Sequence, residues 1–197
     1  MKHIVLDVGS VLIGYRWQDM LMVDHGMPEE AAWKIGRTVF NSPHWSKYDA
    51  GLITTAEMIE YAIQDIPELA EDVKWFFEHA ELMRVKRPLI WEEMKILRKK
   101  GYKMYLLSNY SGELLNIHLK DTGIEELVDG GVISYQIHHV KPEPEIYQYL
   151  LDKYDLKAED CLFFDDREDN VEAARKLGFS GIVVTGEEQL LEELQKL

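Results

Sequence analysis

The sequence predicts an α/β fold: a Rossmann-like core of three α/β/α layers around a parallel sheet, with a small all-helical cap inserted after the first strand. Three observations support this prediction. β-forming residues at 4–6 end directly at Asp7 and a glycine-containing turn. Residues 15–84 carry apolar side chains at helical spacing with almost no strand signal. From residue 87 onward, strand-like and helix-like segments alternate, which is typical of a parallel sheet with right-handed crossovers.

The first strand is apolar on both faces, as expected of a strand buried in a parallel sheet. It leads directly to Asp7, followed by a turn at Gly9. A buried carboxylate is costly unless a cation or several hydrogen bonds compensate it. Ligands of open α/β sheets bind at the carboxyl ends of the strands. Asp7 is therefore the first candidate for a nucleophile or a metal ligand.

The predicted cap covers residues 15–85. Its helical patterns begin at about Trp17, at Pro28, at Thr54 and at Glu68. Pro28 stands at the start of a helix with acidic residues in its first turn, as the helix dipole favours. Thr54 and the glutamate three residues later form a capping box. Residues 41–45 break the helical pattern, so we expect an irregular segment over residues 43–51.

The predicted core consists of residues 1–14 and 86–197. Its expected strands are residues 102–107, 132–134, 161–164 and 181–184, and its expected helices are residues 88–100, 112–121, 144–154, 170–177 and 188–197. Glycines 101, 123 and 178 end three of these helices. Because the helical block follows the first strand, we expect it to cover the carboxyl edge of the sheet.

Charge and cysteine content narrow the class of protein. The net charge of −14 argues against nucleic acid or an anionic membrane as a partner. A single cysteine, Cys161, excludes an internal disulfide and favours the cytoplasm. The apolar run near the N-terminus is too short for a signal peptide, and no stretch reaches the roughly 20 apolar residues of a membrane span. Monomer and homodimer stay open.

Polar residues follow the ends of three predicted strands and stand in one loop before a helix. They are Asp7, Ser108 with Asn109, Lys141, and Asp165 with Asp166. In a parallel sheet these positions lie on one edge and can converge. Clustered carboxylates suit Mg²⁺, and a hydroxyl, an amide and a lysine suit a phosphate. A carboxylate beside a cation and a phosphoryl group can form an aspartyl-phosphate.

The order of these motifs resembles the haloacid dehalogenase-like hydrolase superfamily over nearly the whole chain. The motifs are Asp7-Val-Gly9, Leu-Leu-Ser108-Asn109, Lys141-Pro142 and Phe-Phe-Asp165-Asp166 with Asn170. They look most like the subgroup that contains bacterial α-D-glucose-1-phosphate phosphatases. This resemblance implies a Mg²⁺-dependent phosphatase that hydrolyses a small phosphorylated metabolite, plausibly a sugar phosphate. It further implies that Asp7 attacks phosphorus, that Ser108 and Asn109 hold phosphate oxygens, and that Lys141 neutralises the nucleophile and the phosphoryl group.

The same resemblance assigns the metal site. Asp166 matches the direct Mg²⁺ ligand beside Asp7, the Gly9 carbonyl would be another, and Asp165 would act through water or other side chains. One departure is that most phosphatases of the superfamily carry a second aspartate, the general acid–base, where this chain has Gly9. General acid–base catalysis contributes about a hundred- to ten-thousandfold. His44 and Asp49, in the cap, are the candidates to replace it.

The remaining features divide into structural and substrate-facing residues. Trp33, Trp75 and Trp91 are expected to pack in the core or cap, whereas Trp45 and Tyr48 are expected to face the substrate. His138 and His139 are not expected to bind a metal, because no acid or cysteine was recognised at a suitable spacing.

Three alternatives to a phosphatase stay open. A 2-haloacid dehalogenase would attack carbon without Mg²⁺, and the paired aspartates 165 and 166 count against it. A carbon–phosphorus hydrolase would need an imine-forming cap lysine, for which Lys34 and Lys47 are available. A catalytically weak phosphate-binding or regulatory protein would explain Gly9.

Overall fold

The computed structural model describes residues 3–197; the first two residues of the predicted core segment lie outside the described residues. The core is a parallel sheet of five strands in the order β5-β4-β1-β6-β7. The strands are β1 His3–Leu6, β4 Lys103–Ser108, β5 Gly130–Ile133, β6 Cys161–Asp165 and β7 Ser180–Val183. Strand β1 lies at the centre, with Ile4 opposite Met104 of β4 and Leu162 of β6. The carboxyl ends of β1, β4 and β6 are therefore neighbours.

Helices cover both faces of this sheet. The core helices are α5 Pro88–Lys99, α6 Gly112–Leu119, α7 Pro144–Tyr154, α8 Glu168–Lys176 and α9 Glu187–Gln195. Ile4 and Leu6 of β1 belong to a core cluster with residues of α5 and α9, whereas Val5 belongs to a second cluster with residues of α7 and α8. Alternate side chains of the central strand thus face opposite helical layers. The predicted three-layer α/β/α fold is confirmed.

The segment between β1 and α5 is mainly helical. It contains a helical stretch, Trp17–Asp19 and Met20–Asp24, and then α1 Glu29–Phe40, α2 Pro43–Asp49, α3 Thr55–Asp65 and α4 Ala70–Glu78. The Thr54–Glu57 capping box is present at the start of α3. The irregular segment predicted at 43–51 is wrong, because α2 occupies most of it. Ser42 caps α2 by accepting a hydrogen bond from the His44 amide, and Pro43 fills the first helical position, a known start signal.

An antiparallel strand pair joins the helical segment to the core. Strand β2, Ile13–Tyr15, pairs with β3, Arg84–Lys86, so that Ile13 lies opposite Lys86. The predicted domain boundaries, after residue 14 and after residue 85, fall inside this pair. Strands of three residues are too short to display an alternating pattern, which is why the sequence did not indicate them.

Two short core helices were also not predicted. They are Ile124–Leu127 and Ser134–Ile137. Each is four residues long, about one helical turn, and carries little periodicity. Among the helices in the described part of the chain, none has both the length and the apolar character needed to cross a membrane.

Candidate active site

A cavity of about 300 Å³ opens at the carboxyl edge of the sheet, beneath the cap. Its polar end is lined by residues at the ends of the central strands and by their neighbours: Asp7, Gly9, Asn109, Lys141, Asp166 and Asn170. The residues predicted to converge from distant parts of the sequence therefore do converge, with Ser108 and Asp165 buried beside them.

Asp7, Lys141 and Asp165 form a buried charge cluster. The Lys141 ammonium lies 3.0 Å from Asp7 Oδ1 and 2.5 Å from Asp165 Oδ2, and it donates to the Leu107 carbonyl at 2.8 Å. Burial disfavours the ionised form and raises the pKa of Asp7 to about 7, although Lys141 opposes this shift. Burial alone would lower the pKa of Lys141, but the two carboxylates raise it overall. Lys141 is therefore held charged against the candidate nucleophile.

Asp165 organises its neighbours through hydrogen bonds. Its Oδ1 accepts from the Arg167 amide and from Asn170 Nδ2, both at 2.9 Å, while Oδ2 accepts from Lys141. Both carboxylate oxygens thus have protein donors. This arrangement suits a residue that positions Lys141 and the start of α8, and it leaves Asp166, more exposed and lining the cavity, with freer oxygens.

Two buried polar atoms beside Asp7 lack a hydrogen-bond partner among the described residues: Ser108 Oγ and Asn170 Oδ1. Buried polar groups are normally paired, so these atoms indicate a site for a polar ligand. The Asn109 side chain is bonded to the backbone of Lys141. Its amide donates to the Lys141 carbonyl at 2.9 Å and its oxygen accepts from the Lys141 amide at 2.7 Å. Asn109 thus fixes the loop that carries Lys141.

The carboxylates fit a divalent cation. Asp7, Asp165 and Asp166 each offer an oxygen, and these oxygens lie within 4.8 Å of one another. Burial, followed by the charge of Asp165, raises the pKa of Asp166. Hard oxygen donors of this kind suit Mg²⁺, whose charge would keep the carboxylates ionised.

A second set of possible ligands lies at His139, Glu143 and Glu145. The expectation that no acid stands near His139 was wrong, because Glu143 follows four residues later and its Oε2 lies 2.8 Å from His139 Nδ1. All three residues are exposed. The pair is an exposed interaction at the start of α7, and we assign no metal to it.

Tyr15 explains the glycine at position 9. A Cβ atom on Gly9 would lie 2.6 Å from the Tyr15 hydroxyl oxygen and 3.0 Å from its ring. The tyrosine therefore occupies the space that any side chain at position 9 would need. This contact between Tyr15 and Gly9 was not predictable, since Tyr15 belongs to the unpredicted strand β2.

A chain of hydrogen bonds runs from Tyr15 through Tyr110 and His118 to the Ala80 carbonyl. The donor and the acceptor of each bond follow from its last member. His118 Nε2 lies 2.9 Å from the Ala80 carbonyl, which accepts, so Nε2 carries the proton. In the neutral ring Nδ1 then accepts from the Tyr110 hydroxyl at 2.6 Å, and burial lowers the pKa of His118, which favours the neutral ring. The Tyr110 oxygen consequently accepts from Tyr15 at 2.5 Å. Both tyrosine protons are thereby engaged within the chain.

The structure separates the two cap candidates for acid–base chemistry. Asp49 ends α2 and lines the cavity. Burial, followed by repulsion from Asp7, raises the pKa of Asp49 to about 8. His44 does not line the cavity; its ring stacks on Tyr61 at 3.7 Å between centroids. Of the two residues, only Asp49 lies near Asp7 at the polar end of the cavity.

Of the two aromatic residues predicted to face the substrate, one lines the cavity and the other does not. Trp45 lines the cavity, as expected of a substrate-facing residue. Tyr48 does not: it is buried and its hydroxyl lies 2.8 Å from Thr55 Oγ1. Tyr48 lies on the same side of α2 as Trp45, but its ring is buried against Trp45 at 5.6 Å and Phe77 at 6.3 Å between ring centroids. Its packing within the cap therefore keeps it from the cavity. Trp17 and Phe40 also line the cavity, although the sequence does not distinguish them from packing residues.

The three tryptophans expected to be structural pack against other side chains. Trp33 contacts Trp17 edge-on at 5.1 Å between ring centroids, and Trp75 stacks on His25 at 4.0 Å. Trp91 is buried and donates a 2.7 Å hydrogen bond to the Leu12 carbonyl.

The family model of the haloacid dehalogenase-like hydrolases matches residues 1–178. The chain belongs to this family.

Curated relatives are distant. The chain is 27% identical over 140 residues to bifunctional epoxide hydrolase 2 of Mus musculus, covering 68% of this chain and 24% of that protein. It is 25% identical over 108 residues to pyrophosphatase PpaX of Bacillus mycoides, covering 55% of this chain and 50% of PpaX. The chain thus spans a quarter to a half of these two relatives. Sesquiterpene phosphatase astK of Aspergillus oryzae is 23% identical over 197 residues, covering 100% of this chain and 96% of astK.

Solved structures share the fold. A HAD-like hydrolase of Porphyromonas gingivalis superposes with a TM-score of 0.78 at 20% identity, covering 100% of this chain and 97% of that one. A HAD family enzyme of Bacteroides thetaiotaomicron, solved with magnesium and inorganic phosphate, gives 0.70 at 20%, with coverages of 94% and 95%. L-2-haloacid dehalogenase of Xanthobacter autotrophicus gives 0.70 at 17%, with coverages of 100% and 83%.

Proposed function

We propose that this protein is a Mg²⁺-dependent phosphatase that hydrolyses a small phosphomonoester through an aspartyl-phosphate on Asp7. The observation that carries the proposal is the pairing of Asp7 with a buried, charged lysine at 3.0 Å, beside buried polar atoms that lack partners. PpaX and astK, which are named as phosphatases, support the reaction class.

The first chemical step uses the polar end of the cavity. An oxygen of Asp7 attacks phosphorus, and the bond from phosphorus to the leaving oxygen breaks. Lys141 offsets the negative charge of Asp7 and of the phosphoryl group. Ser108 Oγ, which has no partner among the described residues, is free to donate to a phosphoryl oxygen. The predicted contact of Asn109 with phosphate is retained as a secondary role, because its side chain already bonds the Lys141 backbone.

Asp7, Asp166 and the Gly9 carbonyl would hold the Mg²⁺ ion, with Asp165 acting through Lys141 and Asn170. The ion supplies positive charge that stabilises the phosphoryl oxygens. The pKa of about 7 for Asp7, set by burial against the opposing charge of Lys141, supports this assignment. Because burial raises the pKa of Asp7 despite Lys141, an additional cation would favour the ionised nucleophile.

We assign the acid–base role to Asp49. Burial and the charge of Asp7 raise the pKa of Asp49 to about 8, which favours the protonated carboxyl group at neutral pH. In the first step it gives this proton to the leaving oxygen. In the second step water attacks the phosphorus of the aspartyl-phosphate, and the Asp49 carboxylate takes the proton that the water loses. Asp7 and inorganic phosphate are released, and Asp49 is protonated again.

The alternatives have less support. A dehalogenase of this fold is among the structural neighbours, but clustered carboxylates with raised pKa values suit a cation that attack on carbon does not need. For a carbon–phosphorus hydrolase, neither Lys34 nor Lys47 lines the cavity. A weakly catalytic binding protein would not need Asp49 to be protonated beside the nucleophile. The sequence resemblance implies a sugar phosphate as the substrate, but the aromatic lining of the cavity argues against a sugar.

Hydrolysis of p-nitrophenyl phosphate tests the proposal. We expect turnover with Mg²⁺, loss of turnover with EDTA, and loss in Asp7→Asn. Asp65→Asn, an exposed aspartate on α3, is the matched control and should retain activity. A folded wild-type protein without Mg²⁺-dependent turnover, or an Asp7→Asn variant as active as the wild type, contradicts the proposal.

A further inference from the structure

The cavity continues from the phosphoryl end into a compartment walled by aromatic side chains of the cap. Trp17, Phe40 and Trp45 line it. Phe40 lies between the two tryptophans, with ring-centroid distances of 5.6 Å to Trp17 and 4.9 Å to Trp45, the latter edge-to-face. Such contacts are favourable geometries for aromatic pairs, so the three rings form one continuous wall.

A glycine in α1 allows this wall to form. A Cβ atom on Gly36 would lie 2.3 Å from the Trp17 indole, so a larger residue would displace the ring. Glycine in a helix interior costs about 1 kcal/mol relative to alanine. This destabilising glycine stands at the position where the Trp17 ring lies against the backbone of α1.

The opposite side of the compartment offers few hydrogen bonds. Leu114 and Met83 contribute apolar surface. Tyr15, Tyr110 and His118 also line the cavity, but their protons are used within the chain that ends at the Ala80 carbonyl. What these three residues leave for a ligand is an acceptor position on Tyr15, to which the wall adds only the indole N–H groups of Trp17 and Trp45.

Two other polar side chains that line the cavity make their hydrogen bonds to protein groups: Arg167 is paired with Asp169, and Asn109 with the Lys141 backbone. Ser10 and Asp49 also line the cavity, where they lie near Asp166 and Asp7. The polar residues of the phosphoryl end lie around Asp7. A sugar in the aromatic compartment would bury several hydroxyl groups without partners, and each such group costs about 1–3 kcal/mol. A hydrocarbon group would instead gain by leaving water.

We propose that the compartment formed by Trp17, Phe40, Trp45, Met83 and Leu114 binds the alcohol part of the substrate, and that this alcohol is an apolar aryl or branched-alkyl group rather than a sugar. This inference rests on the proposed phosphatase function and specifies its substrate class. The volume of about 300 Å³ must hold both the phosphoryl group and the alcohol, which limits the alcohol to a small group.

The first test compares phosphomonoesters of primary alcohols, because their leaving oxygens are similarly basic. The substrates are 2-phenylethyl phosphate, 3-methylbutyl phosphate and glucose 6-phosphate, assayed with Mg²⁺. We expect kcat/KM for at least one apolar ester to exceed that for glucose 6-phosphate by about a hundredfold or more, in line with the penalty for unpaired polar groups. The better of the two apolar esters distinguishes an aryl from a branched-alkyl alcohol. Equal values, or a preference for glucose 6-phosphate, overturn the inference.

The second test asks whether the aromatic residues of the compartment cause the preference for an apolar alcohol. Acetyl phosphate carries too small an acyl group to fill the compartment and reports on the phosphoryl end. In Trp45→Ala the ratio of kcat/KM for 2-phenylethyl phosphate to that for acetyl phosphate should fall about tenfold or more. Trp75→Ala, a half-buried cap tryptophan that does not line the cavity, should retain the wild-type ratio. An unchanged ratio in Trp45→Ala contradicts the assignment. If that variant does not fold, Trp45→Leu replaces it with the same expected direction.

A binding measurement separates this inference from the proposed function. Phosphonates cannot be hydrolysed, so calorimetry with 2-phenylethylphosphonate and methylphosphonate, with Mg²⁺ present, measures the compartment without turnover. We expect the phenylethyl compound to bind at least about tenfold more tightly. A wild-type protein that fails to hydrolyse acetyl phosphate but keeps this preference contradicts the phosphatase and not the compartment. Equal affinities contradict the compartment even if the phosphatase is active.

Discussion

Replacing Asp49 by asparagine should weaken catalysis and strengthen the fold. Burial and the charge of Asp7 raise the pKa of Asp49 from 3.8 to about 8. At pH 7 the unfolded chain has an ionised carboxylate, whereas the folded protein holds the proton, and this difference costs the folded state about 4 kcal/mol. Asparagine removes that cost but buries an amide, at about 1–3 kcal/mol. The net gain in unfolding free energy should be about 1–3 kcal/mol at pH 7.

The stabilisation by Asp49→Asn should increase with pH, for the following reason. Below pH 3.8 both states are protonated, so Asp49 costs the folded state nothing. The cost increases as pH rises toward 8 and is constant above it, because the folded carboxyl group then ionises as well. The stabilisation by Asp49→Asn should therefore grow between about pH 4 and pH 8. Urea unfolding in EDTA, with Asp65→Asn as the control, measures this difference.

The catalytic effect should depend on the leaving group. Without its proton donor, Asp49→Asn should lose about a hundred- to ten-thousandfold in kcat for alkyl phosphates. The loss in the first step should be smaller for p-nitrophenyl phosphate, whose leaving oxygen needs no proton. A burst of p-nitrophenol followed by slow turnover would then report the missing base of the second step. Full activity on alkyl phosphates, or a variant less stable than the wild type at pH 7, would refute the acid–base assignment.

Three other predictions follow from the same site. Gly9→Asp should not add a functional acid, because its Cβ would clash with the Tyr15 hydroxyl; it should lower the melting temperature, and adding Tyr15→Ala should recover part of the loss. Lys141→Met should destabilise the protein by about 3–5 kcal/mol in EDTA, since it leaves buried carboxylates without their cation; a change within experimental error in urea unfolding would contradict this. Mg²⁺ should raise the melting temperature more at pH 8 than at pH 6, because the proton competes for Asp7, whose pKa is about 7; a pH-independent shift would remove Asp7 from the metal site.

The sheet and the phosphoryl end of the site follow from local sequence signals. Three strands end in polar residues, and parallel strands place such ends on one edge of a sheet. The strand ends alone therefore place Asp7, Asn109 and Asp166 close together. The hydrogen bonds of the Asn109 amide group to the Lys141 backbone were not predictable, because they depend on the loop conformation.

The aromatic compartment of the cavity could not be predicted in the same way. Tyr15 and Tyr110 are separated by 95 residues and meet through an unpredicted strand pair. Trp17 and Phe40 show helical spacing, which is equally compatible with packing and with lining a cavity. Ser42-Pro43 is both a helix start signal and a pattern typical of a break between helices, so the sequence alone does not distinguish α2 from an irregular segment. The burial of Tyr48 depends on its contacts with Trp45 and Phe77, which local patterns do not reveal.

The most direct measurement is to trap the covalent intermediate. The protein is mixed with p-nitrophenyl phosphate and Mg²⁺, quenched in acid within one turnover, digested and analysed by mass spectrometry. We expect a phosphoryl group on the peptide that contains Asp7, in larger amount in Asp49→Asn and absent in Asp7→Asn. Turnover without phosphoryl transfer to that peptide, or phosphorylation of another residue that persists in Asp7→Asn, would contradict Asp7 as the nucleophile.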